Sequence, residues 1–527
     1  MFVPVIPSKR KPSPPPPPKR TSVDAMDGAE ARESSSPSRI ERVKKRTDNK
    51  KTTLLKPTLH IEVTTKAQTV QPSNLRSDVN IWLLKNFSMV KIGQELHGYE
   101  DTELGLWVER VDIADYTGPE SSYGFYKLQE VELDVQTYTL RPEVDNNGRR
   151  TIAQASEEGI PQARVLLLPS AALKDEWESL VFDDALPARL LRYMTRMVGL
   201  MKQPNLNLAT FNWNRLCLLH GPPGSGKSTL CRALAQKLSI RLGDAFGKAM
   251  LVEINTNAML SKYFGESGKL IGAAFERIQS MAQESGTFIC VVMDEVETIA
   301  GSRERSTSGA ECNDGMRATN QLLTALDRLR HLPNVIVLCT SNLIGAIDQA
   351  FLDRVDIKQL IPSPSPAAIY NIFRSCLNEL VRSSLVDVAA LQVSSRTTTV
   401  RRAVSRSTVT DSSSPAKPVT RSKTPLVSSS PEPWTVISAP EIPTYSEMLV
   451  RWVNQPQSPG RRVWALAQEC EGFSGRTLRR LPILGLAMYT WGGSCSLDDA
   501  VSALEAAVDQ ELKAMTRNQG GVPMETE

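Results

Sequence analysis

Gly221-Pro222-Pro223-Gly224-Ser225-Gly226-Lys227-Ser228 follows an apolar run at 216–219 and leads into an amphipathic stretch at 229–238. A strand that breaks into a glycine-rich turn and re-enters as a helix is the context the pattern GxxxxGK[ST] requires. Glycines let backbone N–H groups wrap phosphate oxygens, and the helix N-terminus adds partial positive charge. Lys227 is placed to neutralise terminal phosphates, and Ser228 to ligate Mg²⁺. The candidate nucleotide cradle is therefore Gly221, Pro222, Pro223, Gly224, Ser225, Gly226, Lys227, Ser228 and the adjoining Thr229.

Downstream, further apolar runs at 251–254, 288–293 and 335–338 alternate with helical stretches. That alternation predicts an α/β fold with a parallel sheet flanked by helices. The run at 288–293 ends in Asp294-Glu295. A carboxylate at that strand end can hold the Mg²⁺ shell, and the next can polarise a water for in-line attack on a γ-phosphate. Asn342 follows the 335–338 strand and suits a sensor of the attacking water; its plainer reading is a turn residue. Arg354 suits a finger reaching a neighbouring subunit's nucleotide, because its charge is permanent and its planar fork matches phosphate oxygens. The plainer reading there is a salt bridge with Asp353 or Asp356. Ser474 is an expected N-cap, which would place Arg476 near phosphate in cis unless it joins Arg479 and Arg480 in a solvated cluster.

Lys262, Tyr263, Phe264 and Gly265 lie in a polar stretch between the second strand and the next helix. Two adjacent aromatics exposed there need a purpose. In a ring they can face the pore and grip a polypeptide; otherwise they anchor the following helix.

Outward from this centre the chain changes character. Residues 1–56 hold five consecutive prolines and 14 Lys/Arg against 6 Asp/Glu, the composition of a disordered basic tail. Residues 57–170 carry short alternating runs such as 59–63 and 131–135, read as a small α+β domain. Residues 171–204 read as a helical linker, with Trp177, Leu180, Val181, Leu190, Leu191 and Met194 at helix-compatible spacing. The nucleotide domain takes 205–362 and a helical lid 363–516, the lid periodicity including Leu449. A Ser/Thr-rich disordered insert at about 384–440 interrupts the lid, and 517–527 read as a flexible end. Net charge is +4, yet the tail and the insert hold the positive excess, so the folded body is acidic. That argues against direct nucleic-acid binding by the body. No apolar run of about 18 residues is present to cross a membrane, and the N-terminus lacks an apolar signal core. The eight cysteines lack metal spacing, so buried thiols are expected at Cys217, Cys290 and Cys339.

The sequence resembles the AAA+ ATPases, and within them the pachytene checkpoint ATPases, also called thyroid-receptor-interactor ATPases. The likeness is carried by Phe211-Asn212-Trp213-Asn214-Arg215 leading into the glycine-rich loop, by Leu234-Ala235-Gln236-Lys237-Leu238-Ser239-Ile240-Arg241-Leu242, by Asp356-Ile357-Lys358-Gln359 and by Gly472-Phe473-Ser474-Gly475-Arg476. The resemblance implies a homo-hexameric ATPase using ATP and Mg²⁺. It implies remodelling of HORMA-domain proteins from closed to open, directly or through a HORMA-type adaptor held by the N-terminal domain. It further implies a nuclear, chromosome-associated role, with cytoplasm as a second location, in meiotic axis control or spindle-checkpoint silencing. By the same resemblance Lys227 and Ser228 bind nucleotide and Mg²⁺, with Asp294 as the second metal oxygen. Glu295 activates water, Asn342 senses the γ-phosphate, Arg476 is the second sensor, and Tyr263 and Phe264 are the pore grip. One departure concerns the finger. Many relatives have two arginines three residues apart, whereas the upstream position here is Phe351, so Arg303 or Arg317 stand beside Arg354 as candidates. Two other function classes fit a P-loop: a DNA-directed AAA+ motor, opposed by the acidic body, and a non-hydrolysing nucleotide-switch scaffold, opposed by the intact Glu295.

Overall fold

The computed structural model describes residues 56–66, 73–119, 124–142, 163–201, 210, 213–261, 267–284, 286–301, 309–387, 442–451 and 456–519. Residues 1–55 of the basic tail, most of the Ser/Thr insert, the pore residues Lys262, Tyr263, Phe264 and Gly265, and Arg303 lie outside them.

The N-terminal domain comprises β1 (Thr58–Thr65), α1 (Leu75–Asn86), β2 (Met89–Lys91), β3 (Glu95–Leu96), β4 (Val108–Thr117), β5 (Phe125–Lys127) and β6 (Glu132–Thr139). Its main sheet has the order β3-β4-β1-β6, with β1 antiparallel to β4 and parallel to β6. Alternation in β1 turns Leu59, Ile61 and Val63 into a core that α1 covers with Val79, Trp82 and Leu83.

The ATPase body comprises β7 (Ala163–Leu168), α2 (Leu186–Met201), β8 (Leu216–His220), α3 (Lys227–Arg241), β9 (Lys248–Ile254), α4 (Thr256–Ser261), α5 (Ser267–Ala282), β10 (Thr287–Met293), α6 (Gly309–Leu329), β11 (Val335–Ser341), α7 (Gln349–Leu352) and β12 (Ile357–Leu360). The sheet order is β12-β8-β11-β10-β9-β7. Five strands are parallel, and their period of two feeds two cores. Leu218, Val252, Val291 and Val337 face α5 and α6, whereas Leu219, Leu251, Cys290 and Leu338 face α2 and α3. Cys217, Cys290 and Cys339 are buried free thiols within this sheet.

Two expectations need correction here, and one strand carries no clear signal in the sequence. The strand β7, placed by sequence within an N-terminal domain ending at 170, pairs antiparallel with β9 and forms an edge of the ATPase sheet. The linker is not helical throughout. After a short 3-10 turn at Ala171–Leu173, Trp177 sits in turns and Leu180 in irregular chain, and α2 starts only at Leu186, where Asp184 accepts the Leu186 N–H at 3.1 Å. Pro187 in the first turn fits that start and would break a helix entering from upstream. β12 was not anticipated, because Lys358 and Gln359 interrupt its apolar pattern.

The lid comprises α8 (Pro366–Arg382), β13 (Val386–Asp387), α9 (Tyr445–Arg451), α10 (Pro459–Glu469), α11 (Gly475–Tyr489), β14 (Cys495–Ser496) and α12 (Leu497–Gln519). Its core joins Phe373, Leu377, Val463, Leu478, Leu481 and Leu504. β13 pairs with β14, so ordered structure reaches beyond 384, where the insert was expected to begin. The last helix likewise runs past 516, and Leu449 is exposed rather than in the core.

Ion pairs seat the N-terminal domain on the far end of α3. Lys237 Nζ lies 2.6 Å from Glu62 Oε2, and Arg241 Nη2 donates to Asp115 Oδ2 at 3.0 Å. The Arg241 and Asp115 side chains are only 4% and 6% exposed.

Candidate active site

The glycine-rich loop connects β8 to α3, and Gly226 caps the helix with φ at 91°. Gly224 adopts φ +73°, and a Cβ there would sit 2.8 Å from Ser474 Cβ, so a side chain is excluded twice over. The loop is thus closed down on the start of α11, where Ser474 Oγ accepts the Thr477 N–H at 3.1 Å as the expected cap. Arg476, the second residue of that helix, is exposed beside Gly224.

Lys227 sits at the first position of α3 and is 6% exposed. Its ammonium donates to the Gly221 and Pro222 carbonyls at 2.9 and 2.7 Å. Burial pulls its pKa below the ordinary lysine value, against the opposing fields of Asp294, Glu297 and Glu295. Neutral carbonyls hold the cation in place without cancelling its charge, which leaves that charge for phosphate oxygens.

The carboxylates come from the C-terminal end of β10. Ser228 Oγ donates to Asp294 Oδ1 at 2.7 Å, joining the loop to the strand end. Thr340 on β11 also donates to Asp294 Oδ1, and its hydroxyl accepts the Glu295 N–H at 3.1 Å. Thr256 donates to the Asp294 carbonyl at 2.7 Å. Glu295 itself holds φ 52° and ψ 52°, a left-handed conformation rare outside glycine, and Asn257 Nδ2 donates to its Oε2 at 3.2 Å. An observed backbone outlier at the proposed water-activating position is the kind of strain that clusters at reactive sites. Asn342 follows directly on β11, and its N–H donates to Glu297 Oε1 at 2.9 Å. A cleft of about 680 Å³ opens beside Ser228 and Asp294, lined also by Arg164, Arg232, Glu253 and Asn255.

Within the chain, Arg354 pairs with neither Asp353 nor Asp356. Its Nε and Nη2 donate to the two oxygens of Asp327 on α6, both at 2.9 Å, and its Nη1 donates to the Ala350 carbonyl at 2.8 Å. Asp356 instead accepts the Leu216 N–H at 3.1 Å and so fixes the start of β8.

Three family models match the chain. These are the ATPase family associated with various cellular activities over 217–363, the TRIP13 N-terminal domain over 54–143, and the TRIP13-like AAA+ ATPase lid C-terminal domain over 437–512. The pachytene checkpoint protein 2 homolog of Danio rerio is 32% identical over 463 residues, covering 87% of this chain and 95% of the relative. The Homo sapiens homolog is 31% identical, with 87% and 94% covered. The chain belongs to the pachytene checkpoint protein 2 family of AAA ATPases.

As a member of that family it hydrolyses ATP. Its fold matches the solved structure of C. elegans PCH-2 with a TM-score of 0.61 at 24% identity, over 86% of this chain and 99% of that one. The structure brings Lys227, Ser228, Asp294, Glu295 and Asn342 to the C-terminal ends of three neighbouring strands, β8, β10 and β11. Sequence reasoning passed over Thr340, Thr256 and Glu297, which hydrogen-bond to Asp294, Glu295 and Asn342. Only Glu297, two residues after Glu295, carried a local signal.

Proposed function

We propose that this ATPase assembles as a homo-hexameric ring and uses ATP hydrolysis to convert HORMA-domain proteins from closed to open, in the nucleus, on meiotic chromosome axes or in checkpoint silencing. The observation that carries this reading is the presence, on one chain, of the family's own N-terminal and lid domains on either side of the ATPase module. Lys227 and the loop amides would hold the phosphates, Glu295 would polarise the attacking water, and Asn342 would orient it. Arg354 would leave Asp327 to reach a neighbour's nucleotide, and Arg476 would approach phosphate in cis. The oxygens of Ser228 and Asp294, 2.7 Å apart, are hard donors of the type Mg²⁺ takes. When bound there, Mg²⁺ would neutralise charge on the terminal phosphates. Tyr263 and Phe264 would grip the substrate chain in the ring's pore.

The decisive experiment is affinity capture with Glu295→Gln in ATP. This variant should bind nucleotide, stop releasing phosphate and retain HORMA-domain proteins. Turnover at the wild-type rate would remove Glu295 from the chemistry. A stalled, ATP-bound protein that retains DNA and no HORMA-domain protein would overturn the substrate assignment in favour of a DNA-directed motor.

A further inference from the structure

The β11 ladder ends at Ser341, so the Asn342 N–H has no strand partner. Glu297 supplies one through Oε1 at 2.9 Å. Glu297 stands in the single 3-10 turn Val296–Thr298, capped by Glu295. The Thr298 N–H and Oγ1 both donate to the Glu295 carbonyl, at 3.0 and 2.9 Å. The backbone that carries Glu295 and the carboxylate that holds Asn342 therefore move as one piece. We propose that Glu297 is a positioning residue for hydrolysis, tying the backbone of Asn342 to the turn that bears Glu295. This rests on reading Asn342 and Glu295 as the groups that orient and polarise the attacking water.

Two further observations favour this over simple capping. A second tie, from Glu295 N–H to Thr340 Oγ1 at 3.1 Å, runs between the same two strand ends, which are held in register by Met293 opposite Cys339. Two ties between one pair of strand ends hold together the backbones from which the Glu295 carboxylate and the Asn342 amide project. A shift of either by about 1 Å is enough to cost on the order of a hundredfold in rate. The other Glu297 oxygen, Oε2, is shielded from solvent and has no hydrogen-bond partner among the described residues. A shielded acceptor without a partner adds no stability, so what this side chain contributes runs through Oε1 and its bond to Asn342. A single acceptor aimed at Asn342 is what the position uses, and an amide oxygen can supply it.

The test is a steady-state ATPase comparison of Glu297→Gln, Glu297→Ala, Asn342→Ala and the double variant Glu297→Ala/Asn342→Ala, with melting measured on each preparation. Glu297→Gln keeps an acceptor and should hold kcat within about threefold of wild type. Glu297→Ala should lower kcat on the order of tenfold or more with KM for ATP within about twofold. The double variant should be no slower than Asn342→Ala alone, because Glu297 acts through that residue. Independent, multiplying losses in the double variant would overturn the proposal. So would a Glu297→Gln variant as slow as Glu297→Ala, or a Glu297→Ala loss that falls on KM and melting in proportion. Wild-type turnover by Asn342→Ala would overturn the sensor reading itself, and the proposal with it.

Discussion

The two ends of α3 carry lysines in opposite electrostatic states. At its first turn, Lys227 donates to neutral carbonyls of its own loop, and burial holds its pKa below the ordinary value of 10.5. At its last turns, burial pulls on Lys237 in the same direction, but Glu62 and Glu178 outweigh it and raise the pKa. Arg241 is buried against Asp115 beside it. On the proposed reading Lys227 must exchange partners with a ligand, and it is held by weak, neutral acceptors. Cations that must stay put are held by carboxylates from another domain. The second arrangement is imperfect as a source of stability, since Glu62 Oε1 and Arg241 Nε are buried without partners among the described residues. Its product is placement: a buried pair costs desolvation on both sides, yet losing one member strands the other.

The contrast breaks most visibly at the buried end. Asp115→Ala should strand Arg241 and cost about 3–5 kcal/mol of stability. Chemical denaturation followed through the N-terminal tryptophans, Trp82 and Trp107, would read it. A wild-type midpoint would mean that the seam is not a buried pair in solution. At the other end, Lys227→Ala should shift stability by no more than about 1 kcal/mol while abolishing ATP binding, measured with a fluorescent nucleotide. A large melting loss there would make Lys227 structural and erase the distinction.

The smallest effect is an expected constancy with pH. Because the folded pKa of Lys237 is raised, its contribution is complete below the ordinary lysine value and is lost only as pH climbs through the folded value. The melting difference between wild type and Lys237→Met should therefore stay level from about pH 7 to about pH 9.5. A difference that fades within that window would place the lysine in a weaker field than Glu62 provides.

What could be read from the sequence followed from local chemistry. The loop at Gly221 to Ser228, the Asp294-Glu295 pair and four parallel strands announce themselves through glycines and unbroken apolar runs. The seam did not. Lys237 and Glu62 are 175 residues apart, and Arg241 and Asp115 are 126 apart, so each looks like a solvated charge until the domains meet. Asp327 escaped for the same reason: beside the finger reading of Arg354, the sequence offers only its neighbours Asp353 and Asp356 as partners, and Asp327 lies on α6. Apolar spacing from 171 onward reads as a helical linker, but periodicity does not register the cap at Asp184 or the constraint at Pro187. β7 was recognisable as apolar, yet nothing in a run of six residues says which sheet it will join.

That strand has a practical consequence for anyone dividing the protein. Along its length β7 covers one side of β9, whose Leu251 and Val252 are wholly buried. Cutting at the apparent border near 170 would uncover a row of unpaired N–H and C=O groups on a flat, greasy rim, the surface through which sheets stick to one another. A shortened ATPase should start no later than Ala163, and a fragment starting downstream is expected to aggregate with its nucleotide chemistry still encoded.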